Sequence, residues 1–318
     1  MKVLVVCSFN RNRIAPFIAE QVVTLQMKGI ITEYFHIKGK GKAGYIRNLN
    51  DLNRKIRSFQ PDLIHAHYGL SGLLSVLQNK IPVIITLHGS DLNLPWVCLL
   101  SKMAIKHAAW SIFVSQRLAN LTGKKDYYSI IPCGIDLQTF FPVDKSEARQ
   151  KTGFAQEDKL VLFSGSFTTG VKNFPLANDS VTHLNNNNPT IFPVKLIELK
   201  GYSRDEVNLL INAADVILLT SLWEGSPNVI KEAMACNRPV VSTDVGDVRT
   251  LTEGIPGCFI AQSNPADVAD KIRQALQYEH SIGARQRIID RGLEINETAR
   301  KIVRVYEEVL EKEKRLKK

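Results

Sequence analysis

The 318-residue sequence has only five cysteines, at positions 7, 98, 133, 236 and 258, and no Cys-x-x-Cys pair. An odd number spread so widely argues against a disulfide framework and gives no zinc-ligand spacing. Reduced thiols in a cytoplasmic protein are expected. No apolar run approaches the ~20 residues that a membrane-spanning helix needs. Residues 1–7 read as a short β-like run with one lysine, and no signal-peptide cleavage pattern follows it. Hydrophobic residues at 44% and charged residues at 23% argue against wholesale disorder. Acidic residues are scarce in one half. Residues 1–150 hold 19 Lys/Arg against 9 Asp/Glu, whereas residues 151–318 hold 22 of each, so the formal net charge of +10 lies in the first half. Such a balance suggests nucleic acid, an anionic membrane surface or an anionic substrate as partner. No basic helix interleaved with aromatics and no nucleic-acid reader motif is present, so nucleic acid is not expected.

Short β-branched runs alternate with longer amphipathic stretches along the whole chain. Strands are expected at 2–7, 32–37, 63–66, 83–87, 111–114 and 129–131, and again at 159–163, 194–199, 216–220, 239–242 and 258–261. Helices are expected between them, at 16–28, 45–59, 69–78, 96–107, 175–184, 204–213, 227–235, 266–278 and 297–312. Pro16 and Pro227 suit first helical turns. Ser203 and Glu206 read as a capping box. The alternation predicts an α/β protein with parallel sheets covered on both faces. It breaks between about 131 and 159, which places a domain junction near residue 150. Domains of 1–150 and 151–300 follow, with 301–318 as a terminal helix and basic tail.

The strongest chemical signal is Trp223-Glu-Gly-Ser-Pro-Asn-Val-Ile-Lys-Glu-Ala-Met-Ala-Cys236, directly after an apolar strand. A strand, tight turn and helix start would put Ser226, Pro227 and Asn228 at a helix N-terminus, where free N–H groups and the helix dipole favour a phosphate. Glu224 and Glu232 cannot bind that phosphate but suit sugar hydroxyls. The local pattern leaves an alternative equally open, with Glu224 as a helix cap and Glu232 as a surface residue. In the loop Phe163-Ser-Gly-Ser-Phe-Thr-Thr-Gly-Val-Lys-Asn173, Gly165 and Ser166 precede Lys172, which can bring one cation to a diphosphate or stand as an ordinary loop lysine. In Thr86-Leu-His-Gly-Ser-Asp91, His88 and Asp91 sit at the C-terminal edge of a parallel strand, where such sheets place ligands. His65 and His67 are read as pointing to opposite faces of their strand, and so as poor joint metal ligands.

The pair of glutamates separated by seven residues, with Gly-Ser-Pro after the first and Glu-Ala-Met-Ala around the second, resembles the signature of glycosyltransferase family 4. The resemblance implies retaining enzymes of the GT-B fold, two Rossmann-like domains facing across a cleft. It gives Glu224 the donor sugar and Glu232 the nucleotide ribose. Lys172 matches the lysine of the family's phosphate loop, and His88 matches its Thr-x-His-Gly histidine, which faces the donor sugar. Glu224, Lys172 and His88 are therefore the implied catalytic set. The donor-binding set is Glu232, Gly165, Ser166, Gly225, Ser226, Pro227, Asn228, Gly201 and Gly246. Gly201 belongs to a stretch, 199–202, that would line the base pocket, while Thr243, Val245 and Gly246 would lie near the diphosphate or sugar. His67, Asp91, Asn10 and Arg13 are acceptor-side candidates. Pro132-Cys-Gly-Ile-Asp136 resembles the family's interdomain turn with Cys133 in place of an asparagine.

Three departures stand out. Ser166 occupies the place of the family's phosphate-binding arginine, for which Arg249 or Lys200 could substitute. The turn at 8–13 lacks the usual paired glycines. The second domain lacks one strand-helix unit between Lys172 and Val207. There is no Asp-x-Asp, so no metal and no other cofactor is expected. The partners expected are a nucleotide sugar and a glycan or lipid-linked acceptor of cell-surface polysaccharide synthesis. The location expected is cytoplasmic, with peripheral contact to the inner face of an anionic membrane through the basic half. Its densest stretch is 38–57, where Tyr45, Leu49, Leu52, Ile56 and Phe59 form a stripe read as core. Two rivals share the fold: a nucleotide-sugar epimerase and a non-catalytic nucleotide-sugar-binding protein.

Overall fold

The computed structural model describes residues 1–9, 14–39, 44, 47–187, 193–278 and 282–316. Asn10, Arg13, Lys40, Lys42 and Tyr45 lie outside them.

The chain forms two compact units, Met1–Gly134 with Ile295–Lys318, and Ile135–Glu294. The division falls before the junction expected near 150, and the last helix belongs to the first unit instead of standing apart. The cause of both differences is packing. Ile135 pairs with Glu294 as a parallel bridge within the second unit. In helix Ile295–Leu316, buried Ala299, Ile302, Val305, Tyr306 and Val309 recur at helical spacing and join the core of β1 (Lys2–Ser8) and helix Pro16–Met27.

The first unit is a six-stranded parallel sheet, ordered β2-β1-β3-β4-β5-β6. Its other strands are β2 (Ile31–Ile37), β3 (Leu63–His67), β4 (Val83–Leu87), β5 (Trp110–Phe113) and β6 (Tyr128–Ile130). The second unit is a five-stranded parallel sheet, ordered β11-β10-β9-β7-β8. These are β7 (Lys159–Phe163), β8 (Val194–Glu198), β9 (Val216–Leu219), β10 (Val240–Thr243) and β11 (Cys258–Ala261). Strands β3, β4, β5, β9 and β10 are buried at every position, as a sheet covered on both faces requires, and their polar members, His65, His67, Thr86, Ser111, Ser242 and Thr243, are buried with the rest. Among the described residues between Lys172 and helix Arg204–Ala213 there are one helix (Phe174–Asn187) and β8, so the second unit is the short form expected.

Leu52, Ile56 and Phe59 on helix Leu49–Phe59 are buried, so that stripe is core. Helix Lys145–Thr152 occupies the stretch where the alternation breaks. Asp144 caps it by accepting from the Glu147 N–H, and its core-facing group is a cation. Arg149 is 2% exposed and donates to the Ala213 and Gln156 carbonyls and to Asp215. A helix held by a buried guanidinium carries no apolar period for sequence reading to find.

Candidate active site

The site in the second unit is built where β7 and β9 end. Thr220 Oγ1 donates to the carbonyls of Lys172 and Asn173 at 3.0 and 3.1 Å, and the Leu222 N–H donates to Val171 O at 2.9 Å. These bonds lash the turn Gly170–Lys172 to the end of β9. The Lys172 Nζ then meets Glu224 Oε1 at 2.7 Å, with both side chains about four-fifths buried. Ser221 Oγ donates to the same Oε1 at 2.8 Å. Gly165 lies under the lysine, and a Cβ there would sit 3.3 Å from its Cγ and Cε.

Glycines also fix the approach of the next loop. Gly246 has φ +58°, and a Cβ on it would lie 2.6 Å from the Gly225 carbonyl oxygen. The turn after β10 therefore rests on the backbone of the Glu224 turn, a contact that only glycine admits. Thr243 Oγ1 adds a 2.8 Å bond to Ser221 O. Beside this seam a cavity of about 420 Å³ is lined by Ser221, Thr243, Asp244, Arg249 and Gln262, among others.

The helix after the turn runs Asn228–Ala235, with extended Pro227 as its N-cap and no capping side chain. Glu224 is thus not its cap. Asn228 Oδ1 is buried at the helix start with no hydrogen-bond partner among the described residues. Glu232 is not a surface residue either, being 3% exposed. Its Oε1 lies 2.9 Å from Arg204 Nη1, and that guanidinium lies 4.5 Å from the centroid of the Phe140 ring. Arg204 takes this place because Ser203 and Glu206 close the expected capping box around the first turn of helix Arg204–Ala213. Sequence reading found the cap and missed the cation it positions. Desolvation raises Asp247 above its ordinary carboxylate value, with the charge of buried Lys231 working against the rise.

Ser166 has a different task from that of an arginine. Its Oγ donates to Glu198 Oε1 at 2.8 Å, and the Phe167 N–H donates to the same oxygen at 2.8 Å. These two donors hold Glu198 below its ordinary range. Glu198, at the end of β8, carries no sequence signal that singles it out. Arg249 pairs with Asp244 at 2.8 Å on the surface. Gly201 has φ +86° and open space around its Cα.

In the first unit, β3 and the turn that follows β4 carry a ladder of histidines. The expectation that His65 and His67 point to opposite faces fails, because residues two apart on a strand share a face. Their rings stack with centroids 4.5 Å apart, and His88 continues the ladder 5.4 Å from His67. His65 is wholly buried between the Tyr306 hydroxyl at 2.6 Å and Thr86 Oγ1 at 2.7 Å, and desolvation pushes it down to about 3. His67 Nδ1 meets His88 Nε2 at 3.1 Å, while its Nε2 is buried without a hydrogen-bond partner among the described residues. A proton on that Nε2 would strand a donor, so the network assigns it to Nδ1, donating to His88. His88 then carries its own proton on Nδ1, 3.7 Å from Cys133 Sγ. Asp91 is 1% exposed. Its oxygens accept from the N–H groups of Gly69 at 2.9 Å, His88 at 2.5 Å and Gly89 at 3.3 Å. It ties the His88 turn to the next loop instead of facing an acceptor. Buried His67 stands behind His88 in the same way. Among the described residues no cluster of three or more His, Cys, Asp or Glu side chains could hold a metal ion, and no helix is long and apolar enough to cross a membrane.

Two doubly wound parallel sheets, the second with a lysine–carboxylate pair at its strand ends, define the GT-B fold class. Residues 3–139 match Glycosyltransferase Family 4 and residues 183–278 match Glycosyl transferases group 1; the chain belongs to this glycosyltransferase family. Its relatives include TuaC of Bacillus subtilis, a glycosyltransferase assigned to teichuronic acid biosynthesis. The two are 30% identical over 71% of this chain and 63% of that protein, so this chain spans less than two thirds of it. The uncharacterized glycosyltransferase MJ1178 of Methanocaldococcus jannaschii is 26% identical over 88% of this chain and 85% of its own. Among solved structures, sucrose-phosphate synthase from Thermosynechococcus elongatus aligns with a TM-score of 0.80 at 15% identity, covering 97% of this chain and 98% of that one. Anabaena HepE in complex with UDP-glucose aligns at 0.71 and 17% identity, covering 97% and 100%.

Proposed function

We propose that this chain moves a sugar from a nucleoside diphosphate donor to a glycan or lipid-linked acceptor, with retention of anomeric configuration, in the synthesis of a cell-surface polysaccharide. The observation that carries this reading is the Lys172–Glu224 pair, 2.7 Å apart at the strand ends of the second unit. An ammonium has three donors. One goes to Glu224, and two are left for the oxygens of a diphosphate. Glu224 Oε1 accepts from Lys172 and Ser221, which leaves Oε2 for hydroxyls of the donor sugar. Buried Glu232, paired with Arg204, accepts from the ribose.

Charge develops on the diphosphate as the glycosidic C–O bond breaks. Lys172 and the backbone N–H groups of Ser226 and Asn228 meet it there. The acceptor hydroxyl attacks the oxocarbenium-like sugar from the face the diphosphate leaves, and a leaving-group oxygen takes its proton. No carboxylate nucleophile and no metal is needed in this scheme. His88 belongs to the sugar, and the basic first unit to the acceptor. The teichuronic acid assignment of TuaC supports the acceptor class, and the UDP-glucose complex of HepE supports a nucleotide-sugar donor.

A thermal-shift screen against nucleotide sugars, followed by turnover with the donor that stabilises, tests the proposal. Transfer to an acceptor is expected, with the donor's anomeric configuration in the product and activity that survives EDTA. Isomerised donor without transfer would favour an epimerase. Donor binding without turnover, unchanged by Lys172→Ala, would favour a binding protein.

A further inference from the structure

From Leu92 to Lys125 the sequence contains no acidic residue, but it holds Lys102, Lys106, Arg117, Lys124 and Lys125. The centre of this stretch is helix Pro95–His107. Its inner face is firmly seated. Val97, Ser101, Ala104 and Ile105 are buried, and Ser101 packs so closely on Gly69 that a Cβ there would lie 1.8 Å from its Oγ. The outer face carries the wrong residues for water: Trp96, Leu99 and Met103 are 57%, 66% and 51% exposed. At 100° per residue these three share one stripe, and Lys102 and Lys106 run along its edge. Lys124 adds a cation at the far end by donating to the Ile105 carbonyl at 3.3 Å. Single exposed apolar residues need no explanation, but three aligned on one helix face beside lysines do.

We propose that helix Pro95–His107 lies in the headgroup layer of an anionic lipid bilayer. Trp96, Leu99 and Met103 enter the acyl boundary while Lys102, Lys106 and Lys124 meet the phosphates. Charge complementarity selects this occupant. The helix bears no carboxylate to repel an anionic surface, and the unit that carries it is basic throughout. The indole of Trp96 suits the interface between water and hydrocarbon. This places membrane contact on an element other than the dense basic stretch at 38–57, whose apolar stripe is core. It does not depend on the sugar chemistry, since it is read without donor or acceptor.

The test is co-sedimentation of the full chain with vesicles of phosphatidylcholine alone and of equal parts phosphatidylcholine and phosphatidylglycerol. Binding to the mixed vesicles only is expected, weakening as salt is raised. Lys102→Gln with Lys106→Gln should lower the partition about thirtyfold, at about 1 kcal/mol per lysine. Leu99→Ser with Met103→Ser should lower it at least tenfold. All four positions are exposed, and unchanged far-UV circular dichroism and thermal unfolding of the full chain report that the variants fold. Equal binding to both vesicle types, no binding, or binding that survives both double variants would overturn the proposal. A dimer in solution that the serine variant abolishes, without vesicle binding, would assign the face to a second copy of the chain.

Discussion

Replacing Glu232 with glutamine probes a buried carboxylate of the proposed donor site. The side chain is 5% exposed and faces Arg204 at 2.9 Å, whose own side chain is 30% exposed. Glutamine keeps the shape and one acceptor oxygen but gives up the charge. A hydrogen bond to a charged acceptor contributes about 1.5–3 kcal/mol, against about 1 for a neutral one. Two ribose hydroxyls on Glu232 would therefore lose about 1–3 kcal/mol together, a rise of roughly 5- to 150-fold in the dissociation constant. The fold should suffer less. Severing a fully buried ion pair costs about 3–5 kcal/mol, but Arg204 reaches solvent and stays over the Phe140 ring, so about 1 kcal/mol is the expected loss. The assay is calorimetric titration with the nucleoside diphosphate the screen selects and with its 2′,3′-dideoxy form. The native protein should prefer the ribose form, and Glu232→Gln should lose most of that preference. An identical ratio of the two affinities in both proteins would show that Glu232 does not hold the ribose.

Lys172→Ala should lower kcat about 100-fold or more while donor binding weakens far less, because its charge matters most as the diphosphate leaves; the split between kcat and KM is the readout. Gly246→Ala forces a Cβ to within 2.6 Å of the Gly225 oxygen at a positive φ, so a loss of about 2 kcal/mol and weaker donor binding are expected from thermal unfolding and titration. His65 is neutral in the fold because burial pushes it down to about 3. Between there and about pH 6.5 the unfolded chain binds a proton that the folded chain refuses, so stability should fall as pH drops through this window and be fully present above it. Tyr306→Phe, which leaves His65 Nδ1 without its hydroxyl, should cost about 1–3 kcal/mol in denaturant unfolding.

All eleven strands are legible in the sequence as short runs rich in apolar and β-branched residues, spaced regularly between amphipathic stretches. The helices that escape are short or lack an apolar face. Lys145–Thr152 is held by Arg149, and Gln116–Thr122 buries only Leu118 and Ala119 among its seven residues. The site is legible wherever motif and turn coincide. Glu224, Lys172, Gly225 and Gly246 converge as expected, since each is a few residues beyond a strand end. Partners across sequence are not legible. Nothing local marks Arg204 as the mate of Glu232, or Glu198 as the acceptor for Ser166 and Phe167. Ser166 shows the difference best. A missing arginine reads as a lost phosphate contact, yet the hydroxyl is engaged in holding a neighbouring carboxylate. The ladder of His65, His67 and His88 was within reach, because a period of two puts the first pair on one face.

The charge asymmetry grows once it is counted over the folded units. The first unit, with the terminal helix restored to it, holds 25 Lys/Arg against 11 Asp/Glu, a net of +14. The second holds 16 against 20, a net of −4. The unit that carries the proposed diphosphate site is therefore the acidic one, and several of its cations are already committed. Arg149 is bound to two carbonyls and Asp215, Arg238 to Val143 O, and Arg285 to the carbonyls of Leu137, Phe140 and Ala235. A donor's phosphates thus meet a weak general field, and their stabilisation must come from groups held at short range, Lys172 and the N–H groups of the Glu224 turn. A short-range site of this kind resists salt, because its contacts lie well inside the Debye length of about 8 Å. The +14 of the first unit acts over longer distances and is screened by the same salt. Raising ionic strength should therefore separate the two functions, leaving nucleotide affinity nearly level while vesicle binding by helix Pro95–His107 falls away.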